Sequence, residues 1–162
     1  MLGTLDVTSD GRFALRFERR FAHSQAKVWR AITETDQLRA WFVEILDYDR
    51  SCLDFTEAAK LTFVSKGEGQ AATGYGEVIR INPPHLLEYT WDAETLRWEL
   101  EAVGEGACLL VFTNIFDDRP SAVAVAPGWH AGLDSLTALL NGRQSDHSAW
   151  EHLQDDYARA LG

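Results

Sequence analysis

Two acidic or basic residues interrupt apolar stretches of the sequence, and their side chains are the first candidates for chemistry. Glu77 is in register with Tyr75 and Ile79 on a predicted strand, where a carboxylate could move a proton or orient a ligand. The alternative is a β-bulge that turns Glu77 outward and Val78 inward. Arg19 interrupts a strand face of phenylalanines, and its guanidinium either faces a cavity or extends along the core to reach water.

Three further polar residues lie on predicted apolar elements. His130 and Asp134 are four residues apart on a predicted helix, so they could pair at a cavity mouth or form an ordinary surface pair. Thr113 and Asn114 give one polar group to each face of the last predicted strand, so one of them is expected inside. We expect Thr113 to contact a ligand, and Glu77 and His130 are the weak candidates for catalysis.

Other kinds of site are not supported by the sequence. Asp47 and Asp49 have the spacing of a calcium loop, but Cys52 occupies its obligatory glycine position. Cys52 and Cys108 form no zinc pattern, and the five histidines lie in different predicted elements. The segment GEGQAATGYG fails the G-x-G-x-x-G pattern and is predicted to be a hairpin turn. We expect no metal and no cofactor.

Length and charge limit the class of protein. The chain has 162 residues, which predicts a single domain over residues 1–162. The 15 basic and 25 acidic residues give a net charge of −10, which disfavours nucleic acid and anionic membranes as partners. The sequence has neither an apolar run of membrane-spanning length nor a signal-peptide pattern. We therefore expect a cytoplasmic protein with reduced thiols.

The hydrophobic periodicity predicts the elements that must position these residues. Phe13 to Phe21 alternates as a half-buried strand, and two short helices follow, capped by Ser24 and Thr35. A helix is predicted to begin at Pro127 and to stop at Asn141-Gly142. A capping box at Ser148 predicts an additional C-terminal helix within 144–161. Further strands are predicted near residues 44–53, 59–65, 73–82, 85–92, 95–103 and 107–116.

Short connections between these strands imply antiparallel pairing, so the expected fold is α+β, with a curved sheet of about six to seven strands around a long C-terminal helix. The alternation in LLEYTWD and LRWELEA gives that sheet one apolar face. The helix must cover this face. Its stripe consists of Trp129, Leu133, Leu136 and Leu140.

Three stretches of the chain carry a family resemblance: FAHSQAKVWRAITETDQLRAWF, GYGEVIRINPPHLLEYTW and APGWHAGLDSLTALLNG. Taken together, they resemble the START-like (SRPBCC) superfamily and, within it, the group named after the activator of the heat-shock-protein ATPase. The resemblance runs from about Phe13 to Tyr157 and implies a helix-grip fold. It also implies a cavity between sheet and helix for a hydrophobic small molecule.

Together, the resemblance and the apolar sheet face predict non-catalytic binding of a hydrophobic, aromatic small molecule. The alternative reading of the aromatic residues is an ordinary core without a cavity. The expected ligand contacts lie on the sheet and on the C-terminal helix. They are Tyr89, Trp91, Trp98, Leu100, Val111, Thr113, Trp129, Leu133 and Leu136.

Three alternatives stay open. Relatives in the superfamily imply a cyclase-, aromatase- or hydrolase-like enzyme that would use Glu77 or His130 in the same cavity. The family name implies an interaction module for a chaperone ATPase, which we disfavour because no separate docking domain is evident. A homodimer would cover the apolar face of the last helix if the chain's own sheet does not. That face consists of Trp150, Leu153, Tyr157 and Leu161.

Overall fold

The computed structural model describes residues 2–43, 45–66, 73–143 and 150–162. Four helices are present in these ranges: α1 (Gln25–Thr33), α2 (Thr35–Trp41), α3 (Pro120–Leu140) and α4 (Trp150–Leu161). The strands are β1 (Thr4–Val7), β2 (Phe13–Phe21), β3 (Lys60–Val64), β4 (Thr73–Asn82), β5 (Leu86–Trp91), β6 (Glu94–Ala102) and β7 (Cys108–Phe116).

All seven strands belong to one antiparallel sheet in the order β1-β2-β7-β6-β5-β4-β3. The two short helices follow β2, and α3 packs against the sheet's apolar face. The predicted α+β class and its helix-grip arrangement are therefore confirmed. On β6, Leu96, Trp98 and Leu100 are buried while Glu99 and Glu101 are exposed. This alternation sets the register of β6, because a shift by one residue would turn the apolar side chains to solvent.

The predicted strand near 44–53 is wrong for its described part, residues 45–53. The Asp47 carboxylate accepts hydrogen bonds from the backbone N–H groups of Asp49 and Arg50, at 3.1 and 3.3 Å. This Asx-type turn competes with extended backbone. Strand-like contact is limited there to two isolated bridges, at Leu46 and Cys52.

The predicted start of the long helix is also wrong, because α3 begins at Pro120 and runs through Pro127. Proline is well suited to the first helical turn, where its missing N–H needs no partner. Inside the helix, Pro127 cannot donate to the carbonyl of Val123. Burial of Ala126 and Pro127 in the core holds the helix together across this position.

The short edge strand β1 was not predicted. Thr4 to Val7 pair with Arg16 to Phe13, yet Leu5 is only partly buried and the three other β1 residues are exposed. An exposed edge strand has no apolar alternation to reveal it. Its position matters because the neighbouring Gly3 N–H donates to the Tyr157 hydroxyl of α4 at 2.9 Å.

The last helix packs against the chain itself. Leu153, Tyr157 and Leu161 are buried, and α4 lies against α3. The apolar face for which a second copy was considered is thus covered, over these three residues, by the same chain; the dimer stays a prediction. The predicted cap at Ser148 and the predicted hairpin turn over residues 67–72 lie outside the described residues.

Within the described ranges, no helix is both long and apolar enough to cross a membrane.

Candidate functional site

A cleft of about 1250 Å³ opens along one side of α3. Its walls are the end of α2 with the segment that follows, the β5–β6 hairpin, and the surface of α3 between Ala124 and Ser135. Five aromatic residues line it. They are Trp41, Phe42, Tyr48, Trp91 and Trp129.

The aromatic walls are held in place by contacts behind them. Trp91 stacks on Phe63 with ring centroids 4.0 Å apart and planes 4° from parallel, which covers one face of the Trp91 indole. Phe42 lies 6.4 Å from Trp91 and 5.8 Å from Trp129, centroid to centroid. Trp41 is fixed by its indole N–H, which donates to the Ala31 carbonyl at 2.8 Å. Rings supported in this way offer rigid, apolar surface to a ligand.

A chain of hydrogen bonds leads from α3 to a carboxylate in the cleft. The Trp129 indole N–H donates to Asn114 Oδ1 at 3.1 Å, and Asn114 Nδ2 donates to Glu94 Oε1 at 3.2 Å. Asn114 is fully buried, and Glu94 is partly buried and lines the cleft. The Asn114 amide accepts through its oxygen and donates through its nitrogen. Its orientation therefore fixes the position of the Glu94 carboxylate.

The environment of Glu94 favours its protonated form. Burial raises the pKa of the carboxyl group, and Asp92 and Asp118 add to the increase. The hydrogen bond from Asn114 and the charge of Arg12 act in the opposite direction without cancelling it. A carboxyl group with a raised pKa in an aromatic cleft is typical of functional sites.

Charged residues surround the mouth of the cleft. Arg39 Nη2 contacts Asp49 Oδ1 at 3.0 Å across the rim. Tyr48 donates its hydroxyl to the Val43 carbonyl at 2.7 Å, and burial raises the pKa of this phenol. The described lining contains two basic residues, Arg39 and Lys66, against four acidic ones. These are Asp47, Asp49, Glu94 and Asp134.

Of the nine predicted ligand contacts, Trp91 and Trp129 line this cleft. Five others are buried in the filled interior between sheet and helix, where Trp98 stacks on Phe112 with centroids 4.0 Å apart. The interior is therefore packed at its centre and open at one end. The five core residues are Tyr89, Trp98, Leu100, Leu133 and Leu136.

Val111 and Thr113 were assigned to the wrong face of the sheet. On β7 the buried inner residues are Phe112 and Asn114, so the alternating Val111 and Thr113 face away from α3. Thr113 is paired across the strands with Arg16 and Arg97. Asn114, not Thr113, is the polar residue that reaches the site.

Glu77 lies outside the cleft lining, so the outward alternative for this residue is the correct one. Its side chain is 49% exposed and its carboxylate contacts Lys60 Nζ at 2.6 Å, whereas Val78 is buried. Tyr75, on the same face of β4, is exposed as well. The register shift lies beyond Glu77, between Val78 and Arg80, so regular alternation and not a bulge turns Glu77 outward.

His130 is buried by α4 and does not line the cleft. Its Nδ1 lies 2.7 Å from the Tyr157 hydroxyl, and its Nε2 lies 3.6 Å from Asp134 Oδ2. The Tyr157 oxygen accepts from the Gly3 N–H, and its own hydrogen can be donated to Nδ1 when that nitrogen carries no proton. Burial lowers the pKa of His130. This arrangement joins α3 to α4.

Arg19 shares the inner face of β2 with Phe17 and Phe21 and likewise lies outside the cleft lining. Its guanidinium carbon lies 5.7 Å from the centroid of the Phe17 ring, and Nη1 donates to the Glu18 carbonyl at 2.8 Å. Burial lowers its pKa, opposed by the negative charge of Asp134. The side chain packs on the Phe17 ring, as the alternative interpretation held, but Nη2 is buried without a hydrogen-bond partner among the described residues, so this end of the guanidinium does not reach water.

Glu94 was missed because it falls between the strands predicted near 85–92 and 95–103, whereas β6 begins at Glu94 itself. A signal was present, however. Glu94 has the same parity as the inward-facing Leu96, Trp98 and Leu100 of β6, so extending the alternation by one step places its side chain inside. Within the described ranges, no group of three His, Cys, Asp or Glu residues forms a metal site.

Several solved structures have the same fold. The conserved protein EF2215 of unknown function from Enterococcus faecalis is 19% identical, with a TM-score of 0.79 over 98% of this chain and 90% of that one. The crystal structure of CalU16 from Micromonospora echinospora is 19% identical, with a TM-score of 0.73 over 98% and 92%. No curated protein matches the chain.

A third structure, the AHSA1 (SPO3351) protein from Silicibacter pomeroyi, is 25% identical, with a TM-score of 0.64 over 79% of this chain and 97% of that one. Residues 22–141 match the family model described as activator of Hsp90 ATPase homolog 1-like protein. This range runs from α1 to the end of α3 and includes every described lining residue of the cleft except Leu153 of α4. The chain belongs to that family.

Proposed function

We propose that the protein binds a hydrophobic, partly aromatic small molecule non-covalently in the cleft beside α3. The observation that supports this most directly is the volume of about 1250 Å³ with five aromatic side chains on its walls. Cavities for small molecules are mostly apolar and contain a few polar groups that fix orientation. Here the polar group is Glu94, positioned by Asn114.

The filled centre of the fold limits where a ligand can lie. Trp98 and Tyr89 are each 1% exposed, and the Trp98 indole N–H donates to the Tyr89 hydroxyl at 3.2 Å. Displacing this pair would leave buried polar atoms without partners, which costs free energy. The ligand is therefore expected against Phe42, Trp91 and Trp129 and not beneath the centre of α3.

Native mass spectrometry of freshly purified protein tests the proposal, followed by a thermal-shift screen of aromatic metabolites. A ligand at 100 times its dissociation constant adds about 2.7 kcal/mol to the free energy of unfolding. The blocking variant is Ala124→Trp, because Ala124 is exposed and lines the cleft. Its matched control is Ala160→Trp, an exposed alanine of α4 that does not line the cleft.

The expected result is that A124W abolishes the ligand-induced shift while A160W retains it. Equal shifts for both variants would place the ligand elsewhere. If aromatic compounds neither co-purify with the protein nor stabilise it, the proposal is wrong.

A further inference from the structure

The cleft contains a partly buried carboxylate without a cationic partner. Among the ion pairs of the described residues, none includes Glu94. Arg12, the basic residue near it, is engaged elsewhere, since its Nε donates to Asp117 at 2.7 Å and its Nη2 to the Ala93 carbonyl at 2.6 Å. Removing a carboxylate from water without such a partner is unfavourable.

Glu88 is a carboxylate of the same sheet whose cationic partners come from the chain itself. It is 6% exposed, and its two oxygens contact Arg80 Nε at 3.0 Å and Arg97 Nε at 2.6 Å. Burial alone would raise the pKa of Glu88, but the two arginines outweigh burial and lower it. The contrast suggests that the positive charge for Glu94 comes from outside the chain.

The position of Glu94 leaves it able to accept from a ligand. Asn114 occupies Oε1, and a carboxylate has a second oxygen that accepts independently. Asn114 is a neutral donor. A bound cation would therefore add a charge-assisted hydrogen bond, which the described contacts of Glu94 do not supply.

The neighbouring aromatic rings favour the same ligand charge. Trp91, Trp129 and Phe42 line the cleft beside Glu94. The faces of such rings carry negative potential and attract ammonium groups, Trp most strongly. Rings of this kind beside a carboxylate form the arrangement that proteins use to recognise organic cations.

The field of the whole molecule agrees with this local chemistry. The chain has a net charge of −10, and four acidic residues against two basic ones line the cleft. A cationic ligand is attracted by this potential, whereas an anionic one is repelled.

We propose that the cleft selects aromatic ligands that carry a positively charged amino group, with Glu94 as the residue that determines this specificity. This inference rests on the proposed function, because it assigns a ligand class to the same cleft. It predicts that affinity depends on the charge of the ligand when the ring system and the chain length are held constant.

The test uses three matched series: 2-phenylethylamine, tryptamine and 2-(1-naphthyl)ethylamine, each compared with the alcohol and the carboxylate of the same ring and chain length. Isothermal titration calorimetry at pH 7.5 gives the dissociation constants. For the series that fits the cleft, we expect the amine to bind at least about tenfold more tightly than the alcohol, with the carboxylate weakest.

Glu94→Gln should reduce the affinity for the amine to about that for the alcohol, and it should reduce the affinity for the alcohol much less. Gln can still accept from Asn114, so the fold is preserved. The matched control is Glu99→Gln, which removes the same charge from an exposed position on the opposite face of the same strand. E99Q should retain the preference for the amine.

The outcomes separate the two proposals. Equal affinities of amine and alcohol would overturn the inference and leave the proposed function standing. The inference would also be overturned if the alcohol bound more tightly than the amine and lost this affinity in E94Q. That result would show that Glu94 acts as a neutral hydrogen-bond donor. If no member of any series binds, the proposed function fails and the inference fails with it.

Discussion

Trp129 and Asn114 connect the long helix to the centre of the sheet. The indole Nε1 donates to the amide Oδ1 at 3.1 Å, across the space between α3 and β7. Asn114 is fully buried and in turn donates to Glu94. One hydrogen-bond chain therefore sets the distance between two walls of the cleft and the orientation of its carboxylate.

Asn114→Leu should destabilise the protein, because it leaves the partly buried indole N–H of Trp129 and the Glu94 carboxylate without this partner. We expect a loss of about 1–3 kcal/mol in the free energy of unfolding, measured by urea denaturation. Trp129→Phe provides the comparison, since it removes the N–H and keeps an aromatic ring. In a double-mutant cycle the two substitutions should be non-additive. Strict additivity would show that the hydrogen bond contributes nothing.

Glu94→Gln should stabilise the unliganded protein at neutral pH. Because the folded pKa of Glu94 is raised, this residue contributes to the free energy of unfolding below the unfolded pKa of 4.5, where it is protonated. The contribution is lost as pH rises through the folded pKa. The stability difference between E94Q and the natural protein should therefore be larger at pH 7.5 than at pH 4.0. Urea denaturation at both pH values measures it.

Glu99→Gln is the control for this experiment, since Glu99 is exposed. Its effect should be within about 0.5 kcal/mol at either pH. A stability difference for E94Q that shrinks as pH rises would contradict the assigned environment of Glu94.

The order of the elements could be predicted because the sheet and the main helix bury one face each. Leu96, Trp98 and Leu100 show this with period 2, and Leu133 and Leu136 belong to the corresponding helical stripe. Segment 45–53 could not be predicted in the same way, since a local side-chain turn at Asp47 decides its backbone.

The candidate site was harder to predict than the fold. Which aromatic residues fill the interior and which line open space depends on packing volume, and sequence spacing does not report volume. Trp98 and Trp91 both face inward from neighbouring strands, yet Trp98 stacks on Phe112 in the closed core while Trp91 lies at the open end. His130 satisfied the helical spacing but was buried by α4, whose position no local pattern specifies.

Gly76 allows β4 to approach β5 beside the cleft. A Cβ atom at this position would lie 1.8 Å from the Thr90 carbonyl oxygen, so the backbone would have to move. Gly76→Ala is expected to lower the free energy of unfolding by at least about 2 kcal/mol. Gly104→Ala is the control, because Gly104 has open space around it and only its φ of +69° is unfavourable, at about 1 kcal/mol.

Thermal and urea denaturation of both glycine variants distinguish a steric clash from backbone strain. A G76A protein as stable as G104A would show that the two strands are not in such close contact. Since Thr90 precedes Trp91, G76A should also weaken the binding of any ligand that stacks on Trp91.

The hydrogen bond between His130 and Tyr157 predicts a pH-dependent contribution of α4 to stability. Burial lowers the folded pKa of His130 below its unfolded value of 6.5, opposed by Asp134 and Asp156, while Arg19 and the N-terminus act in the same direction as burial. The unfolded chain then takes up the proton first. The stabilising contribution is complete above pH 6.5 and is lost as pH falls below it.

His130→Asn removes this titration and keeps an acceptor near the position of Nδ1. The natural protein should therefore lose stability relative to H130N between pH 7.5 and pH 5.0, as measured by urea denaturation. Tyr157→Phe removes the hydroxyl that contacts both Gly3 and His130 and should cost about 1–3 kcal/mol at pH 7.5. Glu94 is present in both the natural protein and H130N, so its own pH-dependent effect on stability cancels in the difference between them. A stability difference that does not change with pH would show that His130 does not titrate between the two helices.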